Sequence, residues 1–102
     1  MSNDKNGYSV QLLSAIESGD MDWITVTLHF GADTTYIDDD GNTAMHKAVA
    51  MADPEIAELV LELILDKGGD PNLKNKEGKT PIDIADSLNR WDLALKMAGY
   101  KI

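Results

Sequence analysis

The feature that most limits what this chain can fold into is its likeness to itself. Gly31-Ala32-Asp33 returns as Gly68-Gly69-Asp70, and Gly41-Asn42-Thr43-Ala44-Met45-His46-Lys47-Ala48 returns as Gly78-Lys79-Thr80-Pro81-Ile82-Asp83-Ile84-Ala85. Both offsets are 37 residues, so two separate landmarks keep one register. A unit built more than once at this period cannot bury its own apolar face and must stack on its neighbours. Each unit reads as a short helix, a turn, a longer helix and a Gly-Asp turn into an extended finger. The 102 residues suit one domain over 1–102 with units at about 8–36, 37–73 and 74–102. There is no cysteine, so packing alone must hold the units together.

The middle unit carries the clearest helix signals. Thr43 is placed to cap a short helix whose Met45, Ala48 and Val49 share a face. Asp53 and Pro54 then mark a second start, since proline at the first helical position gives up an N–H that has no helical partner. Ile56, Leu59, Val60, Leu63 and Ile64 follow at offsets 0, 3, 4, 7 and 8, which predicts a buried stripe widened by Leu61 and Leu65. Gly68 is expected to end that helix in a left-handed conformation.

The string Gly-x-Thr-Ala-Met-His-x-Ala at 41–48, followed by a helix and Gly68-Gly69-Asp70, resembles the ankyrin repeat, whose hallmark is Thr-Pro-Leu-His-x-Ala at a period near 33. The resemblance covers about residues 8–98. It implies an all-α solenoid of stacked helix-turn-helix units with β-finger loops. The first unit, with Leu12 to Asp20, Met21 to Phe30 and Gly31-Ala32-Asp33, lacks the Thr-Pro-Leu-His opening and reads as a cap. The third has Thr80-Pro81-Ile82-Asp83, with aspartate for histidine, and ends in a short helix near Arg90 to Met97. The period exceeds the family's by about four residues, roughly 1.1 helical turns, so the middle unit's second helix is expected to be longer with its stripe nearly in phase. At Ala50-Met51-Ala52 the family usually has glycine, and unusual turn geometry is expected there.

Charge and motifs exclude several activities. The net charge is −9, and residues 1–66 hold thirteen acids and two bases, a net of −11, against +2 for 67–102. Such a surface repels phosphate backbones and anionic lipid, so direct nucleic-acid and membrane binding are not expected. The N-terminus lacks a secretory pattern and no run reaches a membrane span, which reads as a cytoplasmic protein. Asp38-Asp39-Asp40-Gly41-Asn42 has the look of a calcium loop, yet with Gly41 at the sixth position Tyr36 falls at the first and Lys47 at the twelfth, where carboxylates are needed. The glycines follow turns and make no phosphate-binding Gly-x-Gly-x-x-Gly. His46 sits where the family has a structural histidine bonded to the neighbouring turn, and His29 falls on a polar helix side. No catalytic, cofactor or metal residues are assigned, and the chain is not expected to be an enzyme.

What remains is binding. By position, the resemblance implies partner contacts at Tyr36, Ile37, Asp39, Asp40 and Asn42 in the first finger. It implies Lys74, Lys76, Glu77 and Lys79 in the second, then Ala50, Met51, Ser87 and Leu88 at the inner-helix ends, with Glu17 and Ser18 from the first unit. Trp23 and Trp91 are expected to pack between units, with an exposed aromatic anchor as the alternative. The expected function is a protein–protein interaction module, a stand-alone adaptor or a small inhibitor or immunity-like protein, monomeric when free. The alternative is an acidic mimic of nucleic acid that blocks a nucleic-acid-binding enzyme.

Overall fold

The computed structural model describes residues 7–99; the ends of the 1–102 span expected from sequence lie outside them. Six helices follow in three antiparallel pairs: α1 (Tyr8–Ser18) with α2 (Met21–His29), α3 (Ala44–Val49) with α4 (Pro54–Asp66), and α5 (Pro81–Ser87) with α6 (Trp91–Ala98). The inner helices α1, α3 and α5 pack in order, and α2 packs on α4 behind them. The molecule is therefore all-α and built as stacked helix pairs, as the internal repeat requires.

Local chemistry sets the helix starts. The Asp53 carboxylate accepts the N–H groups of Glu55 (2.9 Å) and Ile56 (3.4 Å), with Pro54 at the first helical position. Thr43 and Thr80 open α3 and α5 with reciprocal caps. The Thr43 N–H donates to His46 Nδ1 (3.0 Å), and the Thr80 N–H donates to Asp83 Oδ2 (3.0 Å). As the period predicts, α4 has 13 residues against 9 in α2, a difference of one turn.

The buried face of α4 differs from expectation. Ala57, Val60, Leu61 and Ile64 are fully buried and Leu65 nearly so, while Ile56 and Leu63 are half-buried and Leu59 is 50% exposed. The buried set has the same helical spacing but starts at Ala57. Because α4 touches both α3 and α2, the face is centred where the small Ala57 and Leu61 meet those neighbours, and Leu59 points away. Trp23 and Trp91 also depart from the packing expectation, being 40% and 55% exposed; Ile24 and Leu93, one and two residues further on, fill the core instead.

Gly69 stands where the first unit has Ala32. A Cβ there would lie 2.5 Å from Ile64 Cγ2 and 2.7 Å from Met45 Cε, closer than packed carbons approach. Gly69→Ala is accordingly expected to lower stability by about 1–3 kcal/mol, read as a reduced urea midpoint at unchanged slope. An unchanged midpoint would mean that Met45 and Ile64 can move aside freely.

Arg90 makes the longest connection. Its guanidinium donates to the carbonyls of Val49 (2.9 Å), Met51 and Ala52 (3.4 Å). These are the carbonyls of the turn that has no glycine. The turn at Ala50-Met51-Ala52, where unusual geometry was expected, contains no residue with positive φ, and its carbonyls are supplied with donors from the next unit.

Candidate partner-binding groove

The fingers between the helix pairs are tight hairpin turns, with no strand among the described residues. In the first, the Asp38 N–H donates to the Asn42 carbonyl (3.1 Å), and Asp38 Oδ1 accepts the N–H groups of Asp40 and Asn42, each at 2.9 Å. The second repeats this at the 37-residue offset: Asn75 donates to the Lys79 carbonyl (2.9 Å) and its Oδ1 accepts from Glu77 (2.9 Å) and Lys79 (3.0 Å). A side chain that accepts bonds from the backbone two and four residues on is what the tight turn needs, and Asp and Asn both supply it.

The two fingers are joined side by side. Lys76 donates its N–H to the Asp40 carbonyl (3.0 Å), and Asn75 Nδ2 donates to Asn42 Oδ1 (2.9 Å). Gly41 permits this approach, since its φ is +78° and a Cβ would lie 2.9 Å from the Lys76 nitrogen. Beneath them His46 is 2% exposed. Its Nδ1 accepts from Thr43, which leaves Nε2 protonated and donating to the Lys79 carbonyl at 2.9 Å. The structural role implied for His46 is the geometry found.

The inner-helix ends and fingers border a groove of about 650 Å³. Ile16, Met51, Ile56 and Ile84 give it an apolar floor, and Glu17, Asp53 and Glu77 stand along it. Lys47 lies in it with its Nζ 2.8 Å from Glu17 and 3.2 Å from Asp38. Burial opposes ionisation of Asp38, but the N–H groups of Asn42 and Asp40 and the Lys47 ammonium outweigh it, and the carboxyl titrates below its ordinary value. Burial likewise works against the Lys47 charge, and the Glu17 and Asp38 carboxylates outweigh it, raising the Lys47 pKa.

Stability from a depressed carboxyl is present above its unfolded pKa, about 3.9, and is lost as pH falls through the lower folded value. Stability from the raised Lys47 is present below about pH 10.4 and is lost as pH rises past it. Asp38→Asn keeps the acceptor that Asn75 uses naturally and removes only the charge. The wild type is expected to lose its advantage over Asp38→Asn as pH falls below about 4, seen as converging melting temperatures; parallel curves would mean that the ion pair contributes nothing.

Of the residues expected to meet a partner, Asn42, Ala50, Met51, Glu77, Glu17 and Ser18 come together along the groove. Met51 is only 9% exposed: its side chain belongs to the core and shows the groove one edge. Tyr36 and Ile37 are exposed on the first finger, as are Asp39 and Asp40 at its tip. Asp38, next to them in sequence, is folded back onto Lys47. Lys74, Lys76 and Lys79 are exposed on the second finger, and Ser87 and Leu88 at the end of α5, outside the residues that line the groove. Sequence reasoning did not place Asp53 and Ile56 in the groove, because their roles in starting α4 were the stronger local signal.

Among the described residues no helix is long and apolar enough to cross a membrane. The family model described as "Ankyrin repeats (many copies)" matches residues 27–85. The chain is 32% identical over 87 residues to potassium channel AKT1 of Oryza sativa subsp. indica, covering 85% of this chain and 9% of the channel. It is 35% identical over 75 residues to the 2-5A-dependent ribonuclease of Homo sapiens, covering 72% of this chain and 10% of that protein. It is 32% identical over 99 residues to the putative ankyrin repeat protein FPV014 of Fowlpox virus (strain NVSL), covering 96% and 22%. The chain thus spans less than a quarter of the length of these curated relatives. The crystal structure of EF0377, an ankyrin repeat protein, superposes with a TM-score of 0.78 at 26% identity, over 85% of this chain and 45% of that one. Repeat period, reciprocal threonine caps, buried histidine, paired fingers and these matches agree that the chain belongs to the ankyrin repeat family.

Proposed function

We propose that this chain is a non-catalytic protein-binding module, an adaptor or small inhibitor that holds a partner protein along the groove and against the finger tips. Ankyrin repeat domains generally mediate protein–protein interaction. The observation that carries the reading here is one open groove reaching from α1 across α3 to the second finger. Its histidine has both ring nitrogens committed to holding the fold, which leaves it no proton to trade with a substrate. The reading needs no cofactor or metal, and the acidic surface argues against nucleic acid or anionic lipid as the partner.

The alternative, an acidic mimic of nucleic acid, has less behind it. The lysines of the second finger stand directly beside the acidic tip, and the Asp38 charge is matched by Lys47, so the negative surface is interrupted where a mimic would need it continuous.

A photo-reactive amino acid placed at Ala50, compared with one at Thr25 on the exposed side of α2, tests the proposal in the native host. A defined protein adduct from Ala50 and none from Thr25 is expected. Adducts from Thr25 alone, or adducts with nucleic acid, would overturn the reading.

A further inference from the structure

The groove is not electrically neutral, and its charge names the chemistry of its occupant. We propose that it receives a short, extended, basic segment of a partner protein, with cationic side chains toward its ends and an aliphatic side chain between them. This inference rests on the binding reading above and specifies the partner's chemistry.

The lining presents Glu17, Asp53 and Glu77, and its one lysine, Lys47, is held between Glu17 and Asp38. With Asp38 counted, four carboxylates face one ammonium, which is already paired. The second finger contributes Asn75 and Glu77 to the lining, whereas Lys74, Lys76 and Lys79 are not among the lining residues. An acidic segment would therefore face uncompensated repulsion, and a purely apolar one would strip water from carboxylates without replacing it.

Hydrogen bonding and length refine the occupant. Asn42 lines the groove with Oδ1 already accepting from Asn75, and its own amide N–H groups suit a main-chain carbonyl. Helices packed side by side lie about 8–10 Å apart, so crossing α1, α3 and α5 takes about 16–20 Å. An extended chain advances about 3.3 Å per residue, which makes the segment about five or six residues long. Ile16, Ile56 and Ile84, one from each helix pair, give an aliphatic side chain its apolar floor, while Glu17 stands on the first pair and Glu77 on the finger that leads into the third.

The test uses the full chain and two synthetic peptides as probes: the capped hexapeptide Arg-Lys-Gly-Leu-Lys-Arg and its counterpart with glutamate for every basic residue. Amide NMR spectra of the protein are followed during titration. The basic probe is expected to move the signals of Glu17, Ala50, Asp53 and Glu77 in a saturable way, and the acidic probe to move none. Raising salt from 50 to 300 mM is expected to weaken binding at least fivefold. Asp53→Asn combined with Glu77→Gln keeps the α4 cap and is expected to weaken it at least tenfold; unchanged thermal melting of this variant separates lost charge from lost fold.

Shifts confined to Asp39 and Asp40, or to carboxylates on the outer helices, would overturn the assignment, as would equal binding of both probes. If Ala50 crosslinks a host protein whose attached peptide carries no lysine or arginine, this inference fails and the binding reading stands. If Ala50 gives no adduct and the basic probe binds elsewhere, both fail.

Discussion

Replacing Leu61 by alanine is expected to lower the stability of the domain by about 2–5 kcal/mol, whereas the same change at Leu59 should cost under about 1 kcal/mol. Leu61 is fully buried in α4 and Leu59 is half exposed two residues earlier. Removing Leu61 takes apolar contact from the middle of the stack and leaves a space that stiff neighbours such as Val60 and Ile64 fill poorly. Leu63, half-buried at the edge of the cluster, should fall between the two. The urea midpoints of the three single variants check the order. A Leu59→Ala variant as damaged as Leu61→Ala would show that the face of α4 is rotated from the one described.

His46→Asp is the second substitution with a large expected effect, about 2–5 kcal/mol, and the third unit explains why aspartate is accepted there and not here. Asp83 sits at the position equivalent to His46, accepts the Thr80 N–H, and is exposed. Among the described residues no further finger offers a carbonyl beside it, so a one-ended cap suffices. His46 is buried and two-ended, accepting from Thr43 and donating to the Lys79 carbonyl of the next finger. An aspartate at 46 could keep the first bond, but it would bury a carboxylate against the Lys79 carbonyl, which would keep only its bond from the Asn75 N–H; the buried charge and the lost bond each cost about 1–3 kcal/mol. Its melting temperature should rise on acidification below about pH 6, as protonation relieves the buried charge, while that of the wild type should not. A variant as stable as the wild type at neutral pH would mean that the second bond is dispensable.

The contrast between these residues shows what a sequence of this kind reveals. Caps at Thr43 and Asp53 were legible because donor and acceptor lie within three residues of each other. The extra turn of α4 was legible because a period counts residues. The phase of its buried face was not: seven large aliphatics in thirteen positions cover more than half the helix, and the small Ala57, which marks the centre of contact, carries almost no hydrophobic signal. The groove was partly legible, since repeat position places Asn42, Ala50 and Glu77. The pairing of Lys47 with Glu17, 30 residues away, leaves no mark in either segment. Trp23 and Trp91 were expected to pack between units, with exposure as the alternative, and the core took their neighbours Ile24 and Leu93.

The Arg90 guanidinium bears on how the units come apart. In a stack held only by neighbouring faces, the last pair of helices could fray while the middle pair stayed whole. Here the carbonyls of Val49, Met51 and Ala52 depend on a side chain at the entrance to α6. Undocking α6 therefore unlatches the α3–α4 turn at the same moment. Amide hydrogens at the start of α4 should then exchange with solvent at the pace of those in α6, and Arg90→Ala should quicken both together, so that the last unit acts as a timer for the opening of the one before it.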